Sequence, residues 1–541
     1  MTYFDLNGME LYPVSTMRRH IQFIVLLAVV AVSRFLILFL SQTHVHSDEA
    51  IIGLMAKHIS EGLYYPFYMY GQPYNACAAW EAYVASVVFM VFGVGVIQLK
   101  SCIVVISLAT LVLFYQTVTK IYDLRTAWWS SLVLALMPSL LKWDFQVRGY
   151  SFYFLAIPVL TGLFFSFEPG NGMRARKFFI FGLASGLSVW CLELILTLVA
   201  AFWGLLLLRR MLSVKNTLAG LLGFIIGYLP AMIYNLMYHF KSWHYIFIEK
   251  ASAPLSVFHP SVVAHTFLVE LPKFFGPDTV IWYFPETPLS GWLFYGITMA
   301  AIILALAPFL KEPMKVKSTL APGAINDPEQ KDFLILILIA VSFVPYVVTI
   351  IHVPTYLVGG CFFFAILIGR LISRCLASTA PLKRGLGVAL AVVTVAVGVG
   401  VEIQTARHNQ IDTLTLDRSG HSYYMERIPG ADIEAVQNYL AREQISSTWA
   451  TLQFVYPLIF ETNERLAVSS AVFNFQYQAY PPSVPRRMPP DTCGVFVVET
   501  DSPFLPVIEA QATKAAGAPP LVTKFGTMTI VEVGKTETLS R

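Results

Sequence analysis

The chain has 541 residues, of which 56% are hydrophobic and only 13% charged, with a mean hydropathy of +0.63 and a net charge of +4. A soluble protein of this length needs a more polar surface, so the composition specifies a polytopic membrane protein and excludes a wholly soluble one. Six cysteines are scattered without paired spacing, which argues against both a disulfide framework and a zinc site.

In chain order, residues 1–20 read as a short cytoplasmic tail. The first span covers about 21–41, with Arg34 near its outer end. It lacks a small-x-small cleavage site, so it reads as an uncleaved anchor. The segment 43–81 that follows is too polar to span. It brings two adjacent carboxylates, Asp48 and Glu49, to the membrane face, then the cluster Tyr68-Met69-Tyr70-Gly71-Gln72-Pro73-Tyr74. Within it Ile51, Met55 and Ile59 recur at helical spacing, which predicts a helix lying on the membrane surface. Residues 79–94 are apolar but only about 24 Å long as a helix, short of the roughly 30 Å of hydrocarbon. They read as a second surface or re-entrant helix, carrying Glu81.

The remaining basic clusters lie near 120–125, 174–177, 209–215, 311–317 and 370–384. Positive-inside places all of them in the cytoplasm. Spans are then expected at 101–119, 126–141, 149–166, 178–192, 194–208, 216–238, 289–310, 333–351, 355–371 and 385–401. This makes about eleven spans with the N-terminus inside and the C-terminus outside. Two spans or one long tilted helix both fit 178–208. The chain divides into a membrane module at 1–402 and a small soluble extracytoplasmic α/β domain at 403–541. The membrane module carries outer-face surface helices at 46–94 and an outer loop at 239–288. In the second domain Asp432–Arg442 reads as a helix, and Gly494–Glu499 and Met528–Val533 as strands.

Chemistry is concentrated on the outer face. Ser47 or Asp48 is a good helix N-cap, and a carboxylate fixed at a helix start also has the direction a general base needs. The loop Lys142-Trp143-Asp144-Phe145-Gln146-Val147-Arg148-Gly149-Tyr150 faces the same side. The planar fork of Arg148 suits phosphate oxygens, although an arginine at a span mouth also snorkels to headgroups. Glu81 sits in a continuous apolar stretch, where an ionisable residue is a functional candidate. Glu193, between two apolar runs, either meets water or serves the site. His44 and His46, near two carboxylates, read as interfacial histidines rather than metal ligands. Glycine-rich phosphate loops, G-x-S-x-G and H-E-x-x-H are absent from the sequence.

A larger pattern runs through residues 20–400. After the first span come His46-Ser47-Asp48-Glu49-Ala50, Tyr70-Gly71-Gln72-Pro73-Tyr74, Trp80-Glu81-Ala82-Tyr83 and Phe92-Gly93-Val94. Pro138, Gln146-x-Arg148-x-Tyr150 and Pro354-x-Tyr356 follow. Together they resemble the protein O-mannosyltransferase-like superfamily of GT-C fold membrane enzymes. That group includes the lipid A aminoarabinose transferase and many bacterial polyprenyl-phosphate-sugar glycosyltransferases. The resemblance implies inverting transfer of a sugar from a polyprenyl-phosphate donor to a glycan, lipid or protein acceptor. It implies a place in the bacterial inner membrane with the site on the outer face, and no nucleic-acid partner. Asp48 corresponds to the general base, with Glu49 beside it as a second catalytic candidate. Arg148, helped by Lys142 or Arg34, would stabilise the leaving phosphate. Tyr70, Gln72, Tyr74, Glu81, Asp144, Gln146, Tyr150, Glu193 and Tyr356 complete the expected substrate-binding set. The chain departs from the pattern at Arg148-Gly149, where several relatives carry a second acidic residue. Asp48 and Glu49 alone offer a divalent ion few oxygens, so turnover without a metal is expected. Two other classes compete with this reading. A flippase of lipid-linked glycans would show broken helices in related halves around a midplane site. A non-catalytic scaffold for 403–541 would leave Asp48, Gln72 and Arg148 on one face by coincidence.

Overall fold

The computed structural model describes residues 14–534, apart from 42–43, 71–78, 168–174, 250–263, 277–288, 322–326, 349–353, 408–409, 417–422, 471–480, 482–483, 485–487 and 491–492. Helix α1 (Val14–Ser41) is followed by α2 (Ser47–Ser60), α3 (Ala79–Phe92), α4 (Val96–Ile121) and α5 (Leu124–Ala135). Next come α6 (Ser151–Phe165), α7 (Ala175–Cys191), α8 (Leu196–Leu208), α9 (Val214–Gly227) and α10 (Leu229–Met237). The membrane module closes with α11 (Leu289–Lys311), α12 (Pro328–Ser342), α13 (Gly360–Ala377) and α14 (Pro381–Arg407).

The expected spans at 21–41, 101–119, 289–310, 355–371 and 385–401 each meet a long helix and 216–238 a bent pair, while residues 349–351 of the expected span 333–351 lie outside the described residues. Among the described residues, five helices are long and apolar enough to cross a membrane: α1, α4, α11, α13 and α14. The pair α9 and α10, bent by 57° at Tyr228, would count as a sixth. The others are shorter. The expected span 126–141 is the clearest difference: α5 has 12 residues, about 18 Å of helix. It ends before Pro138, which cannot donate a backbone hydrogen bond, and the chain turns toward the loop that opens α6. The stretch 178–208 is two helices, separated by the short turn at Glu193–Ile195.

Local sequence sets the helix ends. Asp123 caps α5 by accepting from the Arg125 and Thr126 amides at 2.8 and 3.0 Å. Asp327 caps α12, with Pro328 at its first position. Gly93, at φ +81°, takes the left-handed conformation that closes α3. The carbonyl of Pro158, inside α6, accepts from Thr117 Oγ1 of α4 at 3.0 Å. Helix α13 lies at the centre of the bundle. Of its apolar window 78% is buried, against 28–39% for the other four long helices. Helices α7 and α9 meet through glycines: a Cβ on Gly182 would overlap the Gly220 carbonyl, and one on Gly186 the Phe224 carbonyl.

Beyond α14 the chain forms a ribbon of β1 (Gln410–Leu416) and β2 (Tyr423–Pro429), antiparallel with Gln410 opposite Pro429. Helix α15 (Gly430–Arg442) leads to β3 (Ser447–Ala450), α16 (Leu452–Glu461), β4 (Ala467–Ser470) and β5 (Val495–Glu499). Helix α17 (Leu505–Ala516), β6 (Leu521–Phe525) and β7 (Met528–Glu532) complete the domain. The five-stranded sheet has the order β4-β3-β5-β7-β6. β3 is parallel to both β4 and β5, and β7 is antiparallel to β5 and β6. The α/β tail is therefore present, with helix and strands within two residues of the positions read from sequence.

The α7–α9 seam gives a direct test. Gly182→Ala should destabilise the detergent-purified protein by about 1–3 kcal/mol, because backbone rather than a flexible side chain must move. Gly296→Ala, with nothing within 4 Å of its Cβ position, should leave the thermal midpoint unchanged or slightly raised. Equal midpoints for the two variants would refute the seam.

Candidate functional site

The helix read as lying on the membrane surface is instead covered on nearly all sides. Residues Glu49 to Ile59 of α2 are buried, packed against α3 on one side and α16 of the C-terminal domain on the other. Its start is a capping box. The His46 ring accepts from the Asp48 amide at 3.2 Å, and the Glu49 carboxylate accepts from the His46 amide at 2.8 Å. Burial, Arg148 and Lys100 all hold the His46 pKa well below its ordinary value. The ring is therefore neutral, with Nδ1 as the acceptor, and its 3.9 Å approach to Asp48 Oδ2 is not an ion pair.

Asp48 and Glu49 are adjacent in sequence but differ in surroundings. Glu49 is 3% exposed and accepts four hydrogen bonds. Lys100 Nζ reaches both oxygens at 3.1 and 3.2 Å, the Val147 amide donates at 3.0 Å, and the His46 amide takes the remaining direction. This carboxylate holds structure together and has no lone pair to offer a substrate. The Asp48 side chain, by contrast, keeps 40% of its surface open. Burial raises its pKa, Arg148 pulls it back down, and Glu49 pushes it up.

Arg148 lies close enough to influence both His46 and Asp48. Its loop is gripped from two sides. Glu49 takes the amide of Val147, on one side of it. Glu81, 2% exposed on α3, takes the amide of Gly149 at 2.7 Å, on the other. Glu81 also accepts from the Ser151 amide at 3.0 Å and the Ser151 hydroxyl at 2.5 Å, at the first turn of α6. Gly149 has φ +79°, a conformation that a side chain would strain. The arginine is thus fixed between two clamped amides. Three polar atoms of this loop are buried without a hydrogen-bond partner among the described residues: Trp143 Nε1, Gln146 Oε1 and Arg148 Nε. Atoms in the same condition occur elsewhere, at Trp80, Trp128 and Trp190 among others, so it is their grouping on the loop beside Asp48 that distinguishes these three.

The other expected residues are distributed around this centre. Asp144 accepts from Arg34 Nε at 2.6 Å and from Ser107 Oγ at 2.5 Å. Arg34, 1% exposed, also bonds Glu402 Oε1 at 2.5 Å, so it ties α1, the loop and the end of α14 together. A mainly apolar cavity lined by Val30, Arg34, Leu111, Trp143 and Phe362 adjoins this cluster. Tyr150 packs its ring 4.3 Å from Trp143. Tyr70 is 4% exposed, and its hydroxyl meets His58 Nδ1 at 3.0 Å, which sets it in a core rather than a hollow. Glu193 lies near Tyr68 and Tyr356. Lys142 is half-buried at the start of the loop. Gln72 and Tyr74 lie outside the described residues. Sequence alone does not single out Lys100, Ser107, Ser151 or Glu402. Lys100 did carry a signal, since a charged residue within an apolar span needs a partner. The other three are defined only by what faces them.

Comparison with known proteins gives a likeness in structure alone. No family model matches the chain, and no curated protein does. The solved structure of ArnT from Cupriavidus metallidurans bound to undecaprenyl phosphate is similar at a TM-score of 0.60 and 14% identity. That match covers 96% of this chain and 99% of the other. The apo state of the same protein is similar at a TM-score of 0.61 and 13% identity, over 95% of this chain and 98% of the other.

Burial raises the Glu81 pKa to about 7, against the opposing pull of the Ser151 and Gly149 donors. Its folded pKa thus exceeds the ordinary 4.5, so its contribution to stability is complete below that value and is lost as pH rises through about 7. The thermal midpoint of the native protein should therefore fall between about pH 5 and 8, and Glu81→Gln should flatten that slope. A variant with the native slope would show that Glu81 is not the titrating group.

Proposed function

We propose, from the premise that this chain is a multi-pass membrane protein of GT-C fold, that it is a glycosyltransferase drawing its sugar from a polyprenyl-phosphate donor. The observation that carries the proposal is the pairing of Asp48, a carboxylate with an open face, with Arg148, a clamped guanidinium with an unpartnered buried Nε. A protein of this fold binds undecaprenyl phosphate, which supports a lipid phosphate as the leaving group. The charge pattern of the cytoplasmic loops supports a site on the extracytoplasmic face.

In this mechanism the acceptor oxygen attacks the anomeric carbon while the bond from that carbon to the phosphate oxygen breaks. The acceptor proton passes to an Asp48 oxygen, and the electron pair of the broken bond leaves with the polyprenyl phosphate. The raised Asp48 pKa brings the base nearer to working pH. Arg148 meets the growing negative charge, and its clamped backbone means that little reorganisation is needed as the charge develops. Trp143 Nε1 can donate to donor or acceptor oxygens, and Gln146 Oε1 can accept from a hydroxyl. Glu49, Glu81 and Asp144 are all engaged by donors of the protein itself. Asp48 is the one of the four with room to act, which favours single displacement with inversion over a two-carboxylate scheme. Gln72 and Tyr74 are assigned to the sugar or acceptor on sequence grounds.

The test is sugar transfer by purified protein in detergent with a synthetic polyprenyl-phosphate sugar. Asp48→Asn should lower kcat by about 100-fold or more with little change in KM. Arg148→Ala should lower kcat by about 100- to 1,000-fold, and Arg148→Lys should recover only part of it. An Asp48→Asn protein that folds and transfers at the native rate would eliminate the proposed base. Because the Glu49 oxygens are already filled, a divalent ion at Asp48 would find a single carboxylate. Activity should accordingly persist in excess chelator; loss reversed by Mg²⁺ or Mn²⁺ would overturn this part of the scheme.

A further inference from the structure

Helix α2, which carries Asp48, is held along its length by α16 of the C-terminal domain and the turn that follows it. At its N-terminal side Glu461, the last residue of α16, accepts from the Val45 amide at 3.0 Å, three residues before Asp48, and meets His44 Nδ1 at 3.0 Å. Gln437 of α15 donates to the same carboxylate at 2.5 Å, which fixes it from behind. In the middle, the Phe460 ring lies over Gly53, so close that a Cβ would sit 2.6 Å from the ring. At the C-terminal side Glu464 binds Lys57 and meets His58 Nε2 at 3.2 Å, and the same ring holds the Tyr70 hydroxyl at 3.0 Å. Glu464 is aimed there by unusual backbone. It and Asn463 have φ +60° and +53°, left-handed conformations that a glutamate seldom adopts. Val45 and His58 are fully buried in this contact, whereas Glu464 keeps 21% of its side-chain surface open.

We propose that the C-terminal domain is part of the catalytic apparatus, with Glu461 and Glu464 as positioning residues that fix Asp48 by clasping both ends of α2. The proposal rests on the glycosyltransferase reading for its kinetic consequence. Its structural consequence is independent of that reading. The contacts of both carboxylates are with His44, Val45, Lys57 and His58 rather than with Asp48, so both act through the helix. A tail that served only as a separate binding module would not need a strained, buried and charged seam against the helix that carries the base.

The experiment uses the full-length protein in detergent with Glu461→Ala, Glu464→Ala and Glu461→Gln, and with Lys514→Ala, on exposed α17, as control. Amide hydrogen exchange over residues 46–49 is measured first. It should quicken at least tenfold in the two alanine variants and not in the control. Exchange unchanged in both alanine variants would overturn the clasp whatever the activity. Transfer kinetics follow. Each alanine variant should lose at least tenfold in kcat with KM for the donor within twofold, and Glu461→Gln, whose amide oxygen can still accept from Val45, should recover most of the loss. A loss confined to KM would make these residues substrate contacts and overturn the positioning role, as would native kcat in both alanine variants. If the native protein itself shows no transfer, the glycosyltransferase reading fails, and the exchange result alone decides the clasp.

Discussion

The geometry of this protein depends on two buried carboxylates that bind backbone rather than substrate. Glu49 on α2 and Glu81 on α3 take the amides on either side of Arg148. The Glu49 carboxylate, paired with Lys100, makes a charge-assisted bond of this kind, stronger than a neutral one. The pair therefore locks the loop between α5 and α6 to the two outer helices, and Gly149 supplies the backbone turn that lets both amides point the right way. Lys100 binds Glu49 from α4, so α2, α3 and α4 converge on one loop. Removing one partner from such a cluster leaves a buried charge uncompensated, which costs more than the pair contributes.

A second ion cluster works in the same direction from below. Arg34 links α1 to Asp144 on the same loop and to Glu402 at the end of α14. Helix α14 is the last element before the soluble domain, so this arginine ties the loop to the base of that domain. Glu461 and Glu464 tie α2 to the domain's own helix α16. The loop carrying Arg148 is thus joined to α1 and α14, and the helix carrying Asp48 to the C-terminal domain, by charge contacts. The apolar core follows the same plan, since residues of α2, α3, α15 and α16 form one continuous cluster. The division at residue 402 is real in composition but does not separate two independent packing units.

The contrast between Asp48 and Glu49 shows how environment assigns roles to like groups. Both start the same helix, one residue apart. Successive residues on a helix point about 100° apart, so one turns toward Lys100 and Val147 and the other keeps 40% of its side-chain surface open. The first becomes a structural pin. The second stays accessible, with its pKa raised by depth and restrained by Arg148. Tyr70 shows the opposite lesson: an aromatic residue in a polar motif is placed in a core, with its hydroxyl held by His58.

Much was determined by sequence alone. Hydropathy is summed over local windows, so the long apolar helices and the change of composition into an α/β tail could be read directly. Helix lengths were less legible, because a turn such as the one before Pro138 ends a helix inside a stretch that remains apolar. What only the tertiary structure decided was which polar groups are already occupied. The bonds that engage Glu49 and Glu81 join residues 98 and 68 positions apart, and the bond from Glu461 to Val45 crosses 416. No periodicity encodes such pairings. A carboxylate reads the same in sequence whether it faces water or an amide, and only folding fixes which it meets.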